Sequence, residues 1–221
     1  YIGAQSTSAT NIALIFSCSP ILVALLEALL WRKPLPPLRA AGLALALGGV
    51  LVVLTRGDAH ALARLAFGQG DLWVLLAATG WAFYTVLQKR LTLPAVPDSA
   101  RLATMMLGGV IALAPFAGIE AAAGATPPWT DPRLAAVLLF LAVVPSLGAY
   151  YVYGRLISRA GPATAGLSMF LVPVYAALLA WPLLGETPQL FHAYGFVMIL
   201  MGVKMASSRM RAGAATVAAP A

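Results

Sequence analysis

PATAGLSMFLVPVYAALLAWPLLGE, residues Pro162 to Glu186, runs for 25 residues with no charge before its last position. At about 1.5 Å of rise per residue, a helix of that length crosses a hydrocarbon core about 30 Å thick, and it lacks the polar face of a soluble core helix. The stretch reads as a membrane span. Pro173 in its middle removes one backbone donor and frees the carbonyl one turn earlier; in lipid those groups need a protein partner or a water-lined cavity. Pro173 is therefore expected to face the bundle interior.

The same phrase occurs near the start of the chain. Ala9-Thr10-Asn11-Ile12-Ala13-Leu14 leads to Pro20 and then Ala24-Leu25-Leu26, as Ala163-Thr164 leads to Pro173 and then Ala177-Leu178-Leu179. With 173 − 20 = 153 as the offset, Gly42 falls on Gly195, Gly49 on Gly202 and Arg56 on Arg209 without a gap. A helix pair has been duplicated.

The composition agrees. Of the 221 residues 61% are hydrophobic and 10% charged, with a mean hydropathy of +0.89, whereas soluble domains carry about 25% charge. The formal charge of +7 would raise the question of nucleic acid in a soluble chain. Here the basic residues sit in short loops between apolar runs, where they set orientation in the membrane, and no nucleic-acid patch is visible. Cys18 is the only cysteine, so no intrachain disulfide can form, and it reads as a small buried hydrophobe. Tyr1 to Ser8 has no basic n-region of a signal peptide and the chain does not begin with Met, so a fragment of a longer protein is expected.

Seven apolar runs have spanning length, at roughly 9–31, 36–55, 71–88, 101–119, 134–155, 162–184 and 189–208. The fold class is an all-α polytopic membrane protein with antiparallel neighbours in one bundle. Glu27 in the first run is a functional candidate as an ionisable residue within a span; the blander reading has it snorkel to pair with Arg32 or Lys33. In the second run Ala40, Ala44 and Gly48, with Gly42 and Ala46 beside them, are spaced for close helix packing. Gly68-Gln69-Gly70-Asp71 spells the glycine-aspartate pattern of intramembrane aspartyl proteases, but no other span offers a second carboxylate at depth, and Asp71 suits a helix start. His60 and His192 lack metal-ligand companions at a useful spacing. Trp81, Tyr84, Thr85 and Gln88 share one side of the third run, so Trp81 and Tyr84 are either interface anchors or a cavity lining. Pro145 and Gly148 loosen the fifth run, where Ser146 or Tyr150 could meet a ligand. Beyond Arg211 the chain is Ala-rich and expected to be disordered.

Assigning the loops alternately to two sides puts 11 Lys and Arg on the side of the C-terminus and 3 on the other, of 14 in all, which places the C-terminus in the cytoplasm. The two copies of the proline helix then cross in opposite directions, and at offset 153 Lys33 matches Glu186 with the change of sign that opposed orientations require. Antiparallel copies of one unit are the signature of transporters whose site lies at the repeat interface near mid-membrane.

At this point the residues resemble the EamA-like branch of the drug/metabolite transporter superfamily. The resemblance rests on Ala149-Tyr150-Tyr151, Gly161-Pro162-Ala163-Thr164, Val172-Pro173-Val174 and Leu183-Leu184-Gly185-Glu186. It continues in Ser8-Ala9-Thr10-Asn11, Ser19-Pro20-Ile21, Ala40 to Val53, Gly70-Asp71-Leu72 and Gly80-Trp81-Ala82. It implies ten helices in two inverted five-helix repeats, of which this chain carries helices four to ten, with Tyr1 to Ser8 as the end of the third. A complete product would then have roughly 70–80 more residues at the front. Arg32-Lys33 stands where family members often have Gly-Glu. The domains implied are 1–58, the C-terminal part of the first repeat; 70–209, the second repeat; and 210–221, a disordered cytoplasmic tail.

The function implied is a secondary transporter or exporter of small metabolites, amino acids or drug-like compounds, in the cytoplasmic (inner) membrane, working by alternating access. On that reading Pro20 and Pro173 interrupt the central helices and free carbonyls toward the cavity; Trp81, Tyr84 and Tyr150 stack on or bond to the solute; Asn11, Ser19, Ser168 and Tyr175 add polar contacts; and Glu27 is the coupling candidate. No mid-depth Arg or Lys is available for a phosphate ester. The partners expected are the bilayer, a small-molecule solute and, as a compatible assembly, a second copy of the chain; no cofactor, metal or catalytic residue is expected. The alternative is a non-transporting helical scaffold or a membrane-embedded enzyme, the latter lacking a nucleophile-base or carboxylate pair at one depth.

Overall fold

A computed structural model describes all residues except Tyr1, Lys33, Ala59, 91–95, 125–127, Trp129, Glu186, Pro188 and 218–221; for Arg90, Leu184 and 209–217 the backbone alone is described. In chain order the helices are α1 (Ile2–Gln5), α2 (Ala9–Ser17), α3 (Ser19–Trp31), α4 (Pro37–Leu54), α5 (His60–Ala63), α6 (Gln69–Arg90), α7 (Asp98–Ala122) and α8 (Pro132–Leu141). A π-helical segment (Ala142–Ala149) leads into α9 (Tyr150–Ala160), then come α10 (Pro162–Leu167), a 3-10 turn (Ser168–Leu171), α11 (Val172–Leu184) and α12 (Leu190–Val217). Among the described residues 7 helical stretches are long and apolar enough to span a membrane, Ala9–Trp31, Pro37–Leu54, Gln69–Lys89, Asp98–Ala122, Pro132–Ala160, Pro162–Leu183 and Leu190–Ser208. These are the seven expected runs, shifted at their ends by a few residues. One difference lies at the C-terminus, where α12 stays helical to Val217, into the segment expected to be disordered. Lys33 and Glu186, the pair of opposite sign, lie outside the described residues.

The chain divides into two units, residues 1–89 with 160–221, and residues 90–159. The first is organised on α4 and α12, which run antiparallel with backbones in contact. A Cβ on Gly42 would stand 2.6 Å from Gly202 O, and one on Gly49 would stand 2.6 Å from Gly195 O. Gly49 also approaches Ile199 N as Gly202 approaches Ala46 N. Each contact maps onto the other when 153 is added to one partner and subtracted from the other, so the helix pair has a two-fold axis of its own. Small residues permit this approach, which is how membrane helices gain packing contact without a hydrophobic drive between them. Around the pair Ala24, Leu43, Val50, Leu167, Phe170 and Ile199 form the main core cluster.

Both spans that were expected to be interrupted are interrupted, at equivalent places. α2 stops at Ser17 and α3 starts at Ser19; α10 stops at Leu167, and four residues of 3-10 helix precede α11 at Val172. Pro20 and Pro173 sit in the first turn after each break, where a missing N–H costs nothing. The carbonyls one turn before the two prolines, Phe16 O and Met169 O, each have a donor within the break. Cys18 N–H donates to Ile15 O and Phe16 O, and Val172 N–H donates to Met169 O, so a tighter turn takes them up locally.

In the second unit the loosening expected around Pro145 and Gly148 takes the form of the π-helical turn, whose wider ladder accommodates the proline ring. Asp98 pairs with Arg101 and lies 3.8 Å from Arg155 Nε, and the Arg155 guanidinium covers the Tyr151 ring at 5.6 Å. An apolar groove of about 580 Å³ runs between α7 and the π-helical segment, with Leu102, Met106, Val110, Leu147 and Tyr151 in its walls.

Candidate functional site

The site is built where α3, α6 and α10 meet. α6 buries one stripe, Val74, Ala78, Ala82 and Val86, at the four-residue spacing that keeps side chains on one face. Val74 and Ala78 pack against Ile15 of α2, while Ala82 and Val86 pack against Val23 of α3. On its other side Val23 meets α10 at Gly166, where an added Cβ would lie 3.3 Å from the valine side chain. The small residues Ala78, Ala82 and Gly166 thus set the three helices close together.

Next to this junction stand the polar and aromatic side chains. The Trp81 indole N–H donates to Met169 Sδ at 3.0 Å, which ties α6 to the 3-10 turn of the second broken helix. The Trp81 and Tyr84 rings are 5.3 Å apart, tilted by 45°. Thr85 Oγ1 donates to Trp81 O, closing the turn beneath them. Ser168 precedes Met169 in the same turn and donates its hydroxyl to Ala165 O at 2.7 Å. Ser19 lies one helical turn before Val23 on the same face, fully buried, with no hydrogen-bond partner for its hydroxyl among the described residues. Pro20 beside it is buried as well. Five of the sequence candidates, Ser19, Pro20, Trp81, Tyr84 and Ser168, therefore lie about one junction.

The other candidates lie elsewhere. Asn11 is buried and donates Nδ2–H to Ala66 O at 3.0 Å, at the end of α2 remote from the break. Tyr175 is 59% exposed and Pro173 half-buried. Tyr150 belongs to the second unit, where it is 38% exposed. Glu27 pairs with Arg39, its Oε2 3.1 Å from Arg39 Nη2 and both side chains mostly buried, whereas Lys33, one of the two expected partners, lies outside the described residues. Arg32 cannot serve, because it ends α3 in a left-handed conformation, φ 50°, and is exposed.

A second polar cluster at the outer rim of α2 and α6 was only half legible. Asp71 reads as a residue suited to a helix start, and its carboxylate does sit there, accepting from Gly68 N–H at 2.6 Å. It also accepts from Thr7 Oγ1 at 2.5 Å, a bond to a residue 64 positions away that no local pattern announces.

Known proteins resemble this chain along its length. The model of the EamA-like transporter family matches residues 1–55 and 68–208. An uncharacterized transporter of Archaeoglobus fulgidus is 27% identical over 209 residues, covering 95% of this chain and 70% of that protein. The uncharacterized transporter YyaM of Bacillus subtilis is 28% identical over 213 residues, with 96% and 68% covered. An S-adenosylmethionine/S-adenosylhomocysteine transporter of Chlamydia trachomatis is 26% identical over 216 residues, with 90% and 63% covered. This chain thus spans roughly two thirds of the length of these relatives. A solved crystal structure superposes with a TM-score of 0.74 at 21% identity, over 95% of this chain and 70% of that one, and shares its fold.

Proposed function

The chain belongs to the EamA-like transporter family, and we propose that it carries a small metabolite across the cytoplasmic membrane by alternating access between two repeats, residues 1–58 and 70–209, with the C-terminus in the cytoplasm. One observation carries the mechanism: the contacts of α4 with α12 map onto themselves under the exchange of the repeats. Two halves related in that way have two arrangements of similar energy related by the two-fold axis, one open to each side, which is what a carrier needs. The broken helices supply the place where motion and binding meet, since a helix interrupted at Cys18 or at 168–171 bends there rather than along its length.

On this reading the solute rests against Trp81 and Tyr84 and bonds to Ser19 and Ser168. An aromatic pair with a few hydroxyls suits a flat or apolar group carrying polar substituents. S-adenosylmethionine is a first compound to try, because a relative bears its name, and amino acids and drug-like compounds complete the panel. Glu27, the coupling candidate, is paired with Arg39.

Uptake of labelled solutes into proteoliposomes tests the proposal. Trp81→Ala, which removes the aromatic face on which the solute rests, is expected to raise KM about fivefold, the loss of roughly 1 kcal/mol of binding. Tyr175→Phe should leave KM within about twofold. Inertness of the parent protein against the whole panel would favour the scaffold reading instead.

A further inference from the structure

The cluster around Asp71 plays no part in the reading above, yet side-chain hydrogen bonds there join segments 55 and 64 residues apart. Asp71 is 6% exposed at the start of α6. One carboxylate oxygen accepts from Thr7 Oγ1, in the link between α1 and α2, and the other from Gly68 N–H, in the link between α5 and α6. Asn11, one turn into α2, fastens the same link through Ala66 O, while its own N–H is capped by Ser8 Oγ at 3.1 Å. The backbones meet here without side chains between them: a Cβ on Gly3 would lie 2.8 Å from Gly70 O, and one on Gly70 would lie 2.7 Å from Ser6 O. Beside the crossing opens a polar recess of about 560 Å³, with Gln5, Ser8, Asn11, Arg64 and Asp71 in its walls.

Two segments of different repeats are thus tied at one end of the bundle by a buried carboxylate. α6 carries Trp81 and Tyr84; α2 leads down to the break at Cys18.

We propose that Asp71 is a positioning residue for transport: by holding Thr7 and Gly68 together it keeps the start of α2 closed against α6, and solute passes this end of the bundle only while the Asp71–Thr7 bond is broken. This rests on the transporter reading for its purpose and on the hydrogen bonds for its geometry. An ionised carboxylate accepts from two donors at once and makes the stronger, charge-assisted kind of hydrogen bond. An amide in its place offers one acceptor and turns an NH₂ toward one of the two donors.

Cys18 is a native reporter, since it is half-buried at the α2–α3 break, two turns below Asn11. The rate at which a membrane-impermeant methanethiosulfonate, added outside, labels Cys18 is read by mass spectrometry of its peptide. Asp71→Asn is expected to raise that rate at least fivefold, Thr7→Val at least threefold, and Thr7→Ser less than twofold. In transport assays the first two should lower the maximal rate severalfold with KM within twofold, whereas damage to the solute site would raise KM. Labelling rates for Asp71→Asn and Thr7→Val within twofold of the parent would overturn the proposal. If Asp71→Asn does not insert as a monodisperse protein, Thr7→Val, which removes one bond and keeps the side-chain shape, decides alone. A parent that moves no solute would defeat the transporter reading, while the labelling comparison would still decide on the closure.

Discussion

α3 and α11 correspond at the offset of 153 residues, each entered past a break, each with a proline in its first turn, each ended by a left-handed residue, Arg32 in one and Gly185 in the other. Their surroundings differ. Ser19 and Val23 of α3 are fully buried, but at the equivalent positions Val172 is 59% exposed and Ala176 exposed. α3 receives Ala82 and Val86 from α6 and Gly166 from α10, while Tyr175, Leu179 and Leu183 of α11 stand exposed. The ion pair is not repeated either: Glu27 and Arg39 correspond to Ala180 and His192, and His192 instead accepts from Gln189 N–H at the start of α12. Breaks and caps are local decisions of the backbone, set by a missing N–H or a residue that tolerates positive φ. Burial and charge pairing depend on which helix arrives from elsewhere.

The strongest way to break the comparison is at the two-fold contact. Gly49 and Gly202 are equivalent, and a Cβ added to either would stand 2.6 Å from a carbonyl across the helix pair. Gly49→Ala and Gly202→Ala should therefore destabilise the protein by similar amounts, about 1–3 kcal/mol each, read as equal losses of thermal stability in detergent. A large loss for one and none for the other would show that the two halves do not share the contact.

Next in size, Val23→Ala should cost about 2 kcal/mol, since it opens a fully buried site between α6 and α10. Val172→Ala, exposed on the equivalent helix, should cost less than about 0.5 kcal/mol. Equal costs would mean that α11 is covered as well as α3.

The smallest effect sharpens the likeness. Arg32 holds φ 50° where its counterpart is Gly185, and a side chain in that region costs about 1 kcal/mol. Arg32→Gly should raise the melting temperature by the equivalent of about 0.5–1 kcal/mol. Gly185→Arg should lower it by a similar amount.

Much of the fold could be read before any coordinates. Seven spans follow from length and hydropathy, the breaks from Pro20 and Pro173, and the α4–α12 contact from glycines in register at one offset. That Trp81 and Tyr84 share a face was equally plain from their spacing, though not whether that face anchors an interface or lines a cavity. What was hidden depends on partners far along the chain. Asn11 was expected at the solute and is bound to Ala66, and Asp71 was expected to answer a helix dipole and holds Thr7 as well. Glu27 was expected to meet a residue at the end of its own helix and meets Arg39 of α4 instead.

The reciprocity of the glycine contact has a consequence beyond this chain. A surface that meets its own copy by a two-fold rotation is self-complementary, so it needs no second, matching surface to be invented. Two unlinked copies of the α2–α3–α4 segment, inserted in opposite senses, would find each other through that same seam. Joining them in one reading frame would add proximity to an association that already existed.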